Sequence, residues 1–266
     1  MSWTLFKANI RNTRAIWIIM TAIFCLYFVM VTWMYDPEGA ETLQEMLQML
    51  PEALINAFGF SDMGASLTSF IANYMYGFLV FLFPMVISIV VNHKLLAAHI
   101  DKGSMAYLLA TPNSRLKIAK TQLSFSLASI TLFFVLITIV GTLVCQAAFP
   151  GALDIGKFIQ LNLYALVTYY AIGGIGFFAS CIANESKHSL GIGVGLPVAF
   201  LALQMLGDVG EKFSWVGNLS LYALFDPNKL LEGSSFAYVG MAVLAAIAIA
   251  LYSAGVAYFN RRDLHV

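Results

Sequence analysis

The sequence LSFSLASITLFFVLITIVGTLVCQAAF, from Leu123 to Phe149, contains no acidic, basic or histidine side chain. A transmembrane helix needs about 20 mainly apolar residues, so this run can cross a bilayer with length left for tilt. Five similar runs lie on either side of it, and the predicted spans are residues 15–34, 69–91, 123–149, 158–183, 190–207 and 236–259. The sequence therefore predicts an all-α membrane protein with six transmembrane helices.

The overall composition agrees with this interpretation. Hydrophobic residues make up 60% of the 266-residue chain and charged residues only 11%, whereas about 25% of the residues in soluble domains are charged. We therefore expect residues 1–266 to form one transmembrane domain. The formal net charge is zero, which gives no reason to expect a nucleic acid as a partner.

Basic residues are distributed unequally between the two sides of the predicted membrane domain. With the N-terminus inside, eleven of the fourteen Lys and Arg residues fall on the inner side, and eleven of the fourteen acidic residues fall outside. Because an excess of Lys and Arg marks cytoplasmic segments, we expect both termini to be cytosolic. The inner basic residues are Lys7, Arg11, Arg14, Lys94, Lys102, Arg115, Lys117, Lys120, Lys187, Arg261 and Arg262.

The segment before the first span is amphipathic. Its apolar face carries Trp3, Phe6 and Ile10, and its basic face carries Lys7, Arg11 and Arg14. A helix of this kind can lie on the inner leaflet, where basic side chains meet anionic lipid. We therefore expect an amphipathic inner N-terminal helix that contacts membrane lipid.

Stripes of small residues indicate where helices can approach closely. They are Ala242, Ala246, Ala250 and Ala254 in span six, Gly191 and Gly195 in span five, and Gly173, Gly174 and Gly176 in span four. We expect these stripes to pack within one chain, although contact between two copies of the chain is an alternative.

The polar residues inside the predicted spans are neutral. Ion-driven carriers usually keep an ionisable residue deep in the membrane. The absence of ionisable residues from the predicted spans therefore argues against a proton-coupled carrier. Neutral carbonyls can still bind Na⁺, and an ion-coupled secondary transporter or channel therefore stays an alternative. The candidate residues for a translocation path are Asn73, Tyr76, Asn162 and Gln204.

Motifs of catalysis are missing from the sequence. Residues Gly151 to Phe158 read GALDIGKF and fit the start of a phosphate-binding loop, but Phe158 replaces the Ser or Thr that would reach Mg²⁺. We therefore expect the chain itself to be neither an ATPase nor another enzyme. The sequence also shows no spacing typical of a metal site.

The longest predicted inner loop contains IDKGSMAYLLATPNSRLKIAK, from Ile100 to Lys120. Gly103 and Ser104 are expected to end the incoming helix and cap a short new one, which Pro112 would stop. The apolar face of this short helix would consist of Met105, Leu108 and Leu109. Such a face can dock into a groove of another protein, or it can lie on the membrane surface.

This loop resembles the signature of ABC-2-type transporter permeases, in which a Gly-Thr step and an LLxTP run precede basic residues. The matching residues are Asp101-Lys102-Gly103-Ser104, Leu108-Leu109-Ala110-Thr111-Pro112, and Arg115 and Lys120 in the basic tail. His99 stands where many members of that family carry an acid. The resemblance extends over most of the chain, including the N-terminal helix, the six spans and the basic C-terminal end.

The resemblance implies the membrane subunit of an ABC exporter in the plasma membrane, expected to be bacterial. Its substrate would be apolar or amphipathic, such as a drug, an antimicrobial peptide or a lipid-like molecule. Two copies of an ABC-type ATPase would bind ATP and Mg²⁺, and the chain itself would bind no cofactor. A second permease, identical or paralogous, would complete the pathway.

The resemblance also assigns a coupling helix between spans two and three, through which each ATPase subunit would act on the permease. The residues assigned to it are Asp101, Lys102, Gly103, Ser104, Met105, Tyr107, Leu108, Leu109, Thr111, Pro112 and Arg115. We call residues 101–115 the coupling segment.

Overall fold

The computed structural model describes residues 1–37, 39, 66–101, 103, 105, 114–208 and 214–261, with the side chains of Phe78, Ile100, Asp208 and Ser214 excepted. Among these residues, six helices are long and apolar enough to cross a membrane, which confirms the predicted all-α architecture and the number of spans. Span one is Trp3–Trp33, span three is Arg115–Ala148, span four is Ile155–Ile182, span five is Ser186–Asp208 and span six is Ser235–Arg261.

Span two runs from Leu67 to Asp101 and alternates between two helical geometries. Its α-helical parts are Leu67–Tyr74, Val80–Asn92 and Ala98–Asp101, and π-helical turns occupy Met75–Leu79 and His93–Ala97. A π turn accommodates one extra residue and often lies at a functional position. The second π turn lies one α-helical turn before the coupling segment.

Span one is a single continuous helix. The sequence predicted a separate amphipathic helix before a span at residues 15–34, but no break occurs between the two in the structure. The polar side chains Asn9 and Thr13 lie buried against the rest of the bundle. These contacts hold the first four turns in line with the membrane-spanning part.

Side chains cap the N-terminal ends of spans two, three and four. The capping pairs are Ser66 Oγ with Ser69 N at 3.1 Å, Ser114 Oγ with Lys117 N at 3.2 Å, and Asp154 Oδ1 with Lys157 N at 3.0 Å. Each side chain satisfies a backbone N–H that has no partner inside its own helix. The string that fits a phosphate-binding loop is therefore the turn that begins span four, with Gly151 at a φ of +80°.

Span four lies at the centre of the bundle and packs against spans two, three, five and six. Its glycines permit this close approach. A Cβ atom added at Gly174 would lie 3.1 Å from Leu251 Cβ, and one added at Gly176 would lie 3.3 Å from Asn92 Nδ2. Gly193 of span five approaches the backbone of Gly176 in the same way. The glycines of span four therefore pack within the chain, as expected.

The alanine stripe of span six behaves differently. Its members Ala242, Ala246, Ala250 and Ala254 are all exposed. The buried face of this helix instead consists of Ala237, Gly240, Leu244, Ala248, Tyr252, Gly255 and Phe259. The expectation of contact within the chain was therefore wrong for this stripe, and also for Gly191 and Gly195 of span five, which are exposed. Large side chains on the other face of span six bury more apolar area, and two glycines there allow the close approach.

Short helices connect spans five and six at the end of the bundle opposite to the coupling segment. They are Ser214–Gly217, the 3₁₀ turn Leu221–Leu224 and Pro227–Leu231. The Tyr164 hydroxyl of span four donates a hydrogen bond to the Leu224 carbonyl. Span six crosses that same carbonyl at Gly240, where an added Cβ would lie only 2.5 Å from the Leu224 oxygen. This segment therefore depends on a glycine at position 240.

Candidate coupling site at the basic end of the bundle

One end of the bundle gathers the starts of spans one, three and five and the ends of spans two, four and six. We call it the basic end, because the predicted inner Lys and Arg residues that the structure describes lie there. Its cross-contacts are Ser2 N to Thr121 Oγ1 at 2.8 Å, Lys94 Nζ to Asn12 O at 3.0 Å, and Ser186 N to Asp101 Oδ1 at 3.3 Å. The structure thus places the predicted inner segments beside one another.

The coupling segment begins at Asp101, where span two ends, and it ends at Arg115, the first residue of span three. Gly103 has a φ of +66°, a left-handed conformation that favours glycine, and this agrees with the expected end of the incoming helix. Arg115 begins span three and is half-buried. The residues Lys102, Ser104, Tyr107, Leu108, Leu109, Thr111 and Pro112 lie outside the described part of the chain.

Met105 is the one described residue from the expected apolar docking face. Its side chain is completely buried within this chain and belongs to the hydrophobic core. A fully buried side chain contributes packing to its own fold and offers no surface to a partner. Met105 therefore anchors the coupling segment to the bundle.

A buried polar network, the Asn92 cluster, lies just inside the membrane domain above this segment. The Asn92 amide donates to Ser88 Oγ and to Gly173 O, each at 3.2 Å, and its Oδ1 accepts from Ser126 Oγ at 2.8 Å. The Ser126 hydroxyl also lies 3.3 Å from the Tyr252 hydroxyl. One side chain of span two, 2% exposed, is therefore tied to spans three and four directly and to span six through Ser126.

Two further contacts hold the second π turn itself. Ser180 Oγ of span four donates to the Asn92 carbonyl at 2.8 Å, and Gln122 Nε2 of span three donates to the Leu95 carbonyl at 2.7 Å. Gln122 Oε1 in turn accepts from Asn9 Nδ2 of span one at 2.5 Å. Side chains from spans one, three and four thus fix the backbone that enters the coupling segment.

Sequence reasoning did not identify this network. Asn9, Asn92, Gln122 and Ser126 lie close to predicted span ends, where polar residues are common and carry no distinct signal. The informative pattern was that Asn9, Asn92 and Gln122, on three different spans, lie at similar distances from their basic flanks. Such placement brings them to one level of the bundle.

The predicted N-terminal residues divide between the bundle and the surroundings. Phe6 packs edge-on against Phe125 of span three, with ring centroids 5.1 Å apart. Trp3 stacks on Phe6 and is 58% exposed, and the Lys7 ammonium lies over the Trp3 ring. The side chains that point away from the bundle are Ile10, Arg11 and Arg14. These exposed groups, together with Trp3 and Lys7, are available to lipid.

The four candidate path residues lie at different places in the bundle. Asn73 accepts a hydrogen bond from Asn228 Nδ2 at 2.9 Å, next to the short helices of the opposite end. Tyr76 and Asn162 are buried and share Phe158 as a neighbour, through ring contact and through the Phe158 carbonyl respectively. Gln204 is half-buried on span five. The structure thus brings two of the four together.

Within the described residues, no group of three or more His, Cys, Asp or Glu side chains could hold a metal ion.

Six apolar spans that converge on a basic end, with a loop anchored between spans two and three, define a multi-pass membrane domain. The chain belongs to the ABC-2 family of transporter proteins, since the family model described as ABC-2 family transporter protein matches residues 5–264. No curated protein matches the chain. Membership identifies a membrane permease of an ABC transporter, and it implies an ABC ATPase as a partner in general.

Proposed function

We propose that this chain is the permease subunit of an ATP-driven exporter in the plasma membrane of a bacterium. It moves an apolar or amphipathic substrate, such as a drug, an antimicrobial peptide or a lipid-like molecule, out of the cell. The observation that carries the proposal is the family match over nearly the whole chain, from residue 5 to residue 264. The anchored coupling segment supports it, because a subunit driven by a separate motor needs a firm point of attachment.

Two ATPase subunits bind ATP and Mg²⁺, and each of them presses on the coupling segment of one permease. The second permease is an identical or a paralogous chain. Force on the segment reaches span two through the π turn at His93–Ala97. Because Gln122 and Ser180 hold the backbone of this region, spans three and four move with it. Rigid-body displacement of packed helices is a common form of such transitions.

This proposal requires the basic end to face the cytosol. The positive-inside bias supports that orientation, with eleven of fourteen basic residues on one side. Single cysteines placed at Lys187 and at Lys229 in a cysteine-free background would test it. An impermeant maleimide added to intact cells should label position 229 only. Labelling of position 187 alone would show the opposite orientation, in which the coupling segment lies outside the cell and cannot contact the ATPase.

The ATPase contact can be tested without knowledge of the substrate. The permease is reconstituted with the ABC ATPase encoded nearest to it, and permease-dependent ATP hydrolysis is measured. We expect Lys102→Glu to lower this stimulation at least tenfold, because it reverses a charge within the coupling segment. Lys117→Glu serves as the matched control, since Lys117 is exposed at the same end but lies outside the segment.

Both variants must elute as folded protein in size-exclusion chromatography. Equal stimulation by the two variants would place the ATPase contact elsewhere.

An ion-coupled carrier is the alternative function. Substrate movement by the permease alone, on an ion gradient and without ATP, would establish that alternative.

A further inference from the structure

An open groove runs along the outside of the bundle between spans three and six, with span four as its floor. Its volume is about 820 Å³. The lining residues are Leu116, Lys120, Leu123, Leu127, Val167, Tyr170, Ala245, Ala248, Ile249, Tyr252, Ser253, Val256 and Ala257. Neither the described residues of the coupling segment nor the four candidate path residues line it.

The groove extends over about half of a bilayer. From Leu116 to Leu127 span three contributes one face of the helix, which is roughly 16 Å long at about 1.5 Å per residue. The hydrocarbon core of a membrane is about 30 Å thick, so one leaflet accounts for about 15 Å. The groove begins at the basic end and therefore follows a single leaflet towards the middle of the membrane.

The two ends of the groove differ in chemistry. Lys120 lies at the basic end, is exposed, and within the described residues forms no ion pair with a carboxylate. Arg261 extends this cationic end, because it follows Ala257 by one helical turn on span six. The rest of the lining is mainly apolar.

The two tyrosine hydroxyls inside the groove already have hydrogen-bond partners. The Tyr170 hydroxyl lies 2.6 Å from Thr131 Oγ1, and the Tyr252 hydroxyl lies 3.3 Å from Ser126 Oγ. A polar occupant would find few partners there and would lose its own hydration. An occupant with an apolar chain and an anionic head suits both ends of the groove.

We propose that the groove binds one acyl chain of an anionic phospholipid, with the lipid phosphate beside Lys120. Charge complementarity and the length of one leaflet support this occupant. The lipid belongs to the inner leaflet if the orientation in the proposed function holds, but binding itself does not depend on the ATPase.

Native mass spectrometry tests this site on the full-length chain. The permease is extracted from vesicles of equal phosphatidylglycerol and phosphatidylcholine, and the retained lipids are counted. We expect retention of one phosphatidylglycerol in preference to phosphatidylcholine. Lys120→Gln should lower that preference about fivefold, the effect expected for one basic residue near an anionic membrane surface. Lys117→Gln, an exposed neighbour outside the groove, should leave it unchanged.

A second pair of variants tests the apolar part. Ala245→Phe fills the groove and should abolish retention of the lipid whatever its headgroup. Ala246→Phe places the same ring on an exposed position outside the lining and should have no effect. Equal loss in Lys117→Gln and Lys120→Gln would show diffuse surface charge only and overturn the proposal. Retained lipid in Ala245→Phe would do the same. A change from dimer to monomer in Ala245→Phe, with no lipid bound in the original chain, would assign the groove to a second permease.

Discussion

Replacement of Asn92 by alanine removes the centre of the Asn92 cluster and leaves the backbone contacts of span two in place. The variant loses the side-chain hydrogen bonds to Ser88, Gly173 and Ser126. It keeps the bond from Ser180 to the Asn92 carbonyl, because that bond uses the main chain. The change therefore isolates the contribution of one buried amide.

The expected cost follows from the number of bonds. Hydrogen bonds inside membrane proteins contribute about 0.6 kcal/mol each on average, so three of them amount to about 2 kcal/mol. Ser126 retains the Tyr252 hydroxyl at 3.3 Å as a second partner, which reduces the loss. We therefore expect Asn92→Ala to lower the free energy of unfolding by about 1–2 kcal/mol.

Reversible unfolding in mixed micelles, titrated with a denaturing detergent, measures this value. Ser124→Ala is the matched control, because the Ser124 hydroxyl is exposed and donates only to the Lys120 carbonyl of its own helix. A double-mutant cycle of Asn92→Ala with Ser126→Ala should give a coupling energy of about 0.6 kcal/mol. If Asn92→Ala cost no more than Ser124→Ala, the cluster would not stabilise the bundle and the reasoning would fail.

Two further substitutions test the packing described above. Gly240→Ala should destabilise the protein by about 1–3 kcal/mol through a clash with the Leu224 carbonyl. Gly195→Ala is the control and should be neutral, since within the described residues nothing lies within 4 Å of its added Cβ. Thermal unfolding in detergent compares the two variants, and equal melting temperatures would refute the clash. Gln122→Leu removes the donor to the Leu95 carbonyl, so amide hydrogen exchange in the second π turn should become faster. Unchanged exchange would show that this bond does not hold the turn.

The number of spans could be predicted because each one is a long apolar run. The ends of the spans were predicted less accurately than their number. Span three was expected to begin at residue 123, but the helix begins at Arg115, two turns earlier. Hydropathy detects the part of a helix inside the hydrocarbon, whereas a helix capped by Ser114 continues through polar residues such as Lys117 and Lys120.

Contacts between spans were harder to predict than the spans themselves. The small residues of span four lie in helix contacts, but those of the alanine stripe do not, although both show a similar spacing. The buried face of an apolar helix is decided by its contacts with all the neighbouring helices together. The spacing of small residues along one helix does not contain that information. The Asn92 cluster joins residues more than 100 positions apart, such as Ser126 and Tyr252, and only the folded chain brings them together.

The first π turn of span two, Met75–Leu79, has a consequence for deletions. Each residue of an α-helix rotates the chain by about 100°, and a π turn contains one residue more than regular α-helix requires. Deleting one residue there would therefore restore regular winding and leave the rest of span two in nearly the same rotational phase. Deleting one residue between Val80 and Ile87, which are regular α-helix, would instead rotate Asn92 by about 100° and turn it away from Gly173. The first π turn is therefore the place in span two where the loss of one residue disturbs the Asn92 cluster least.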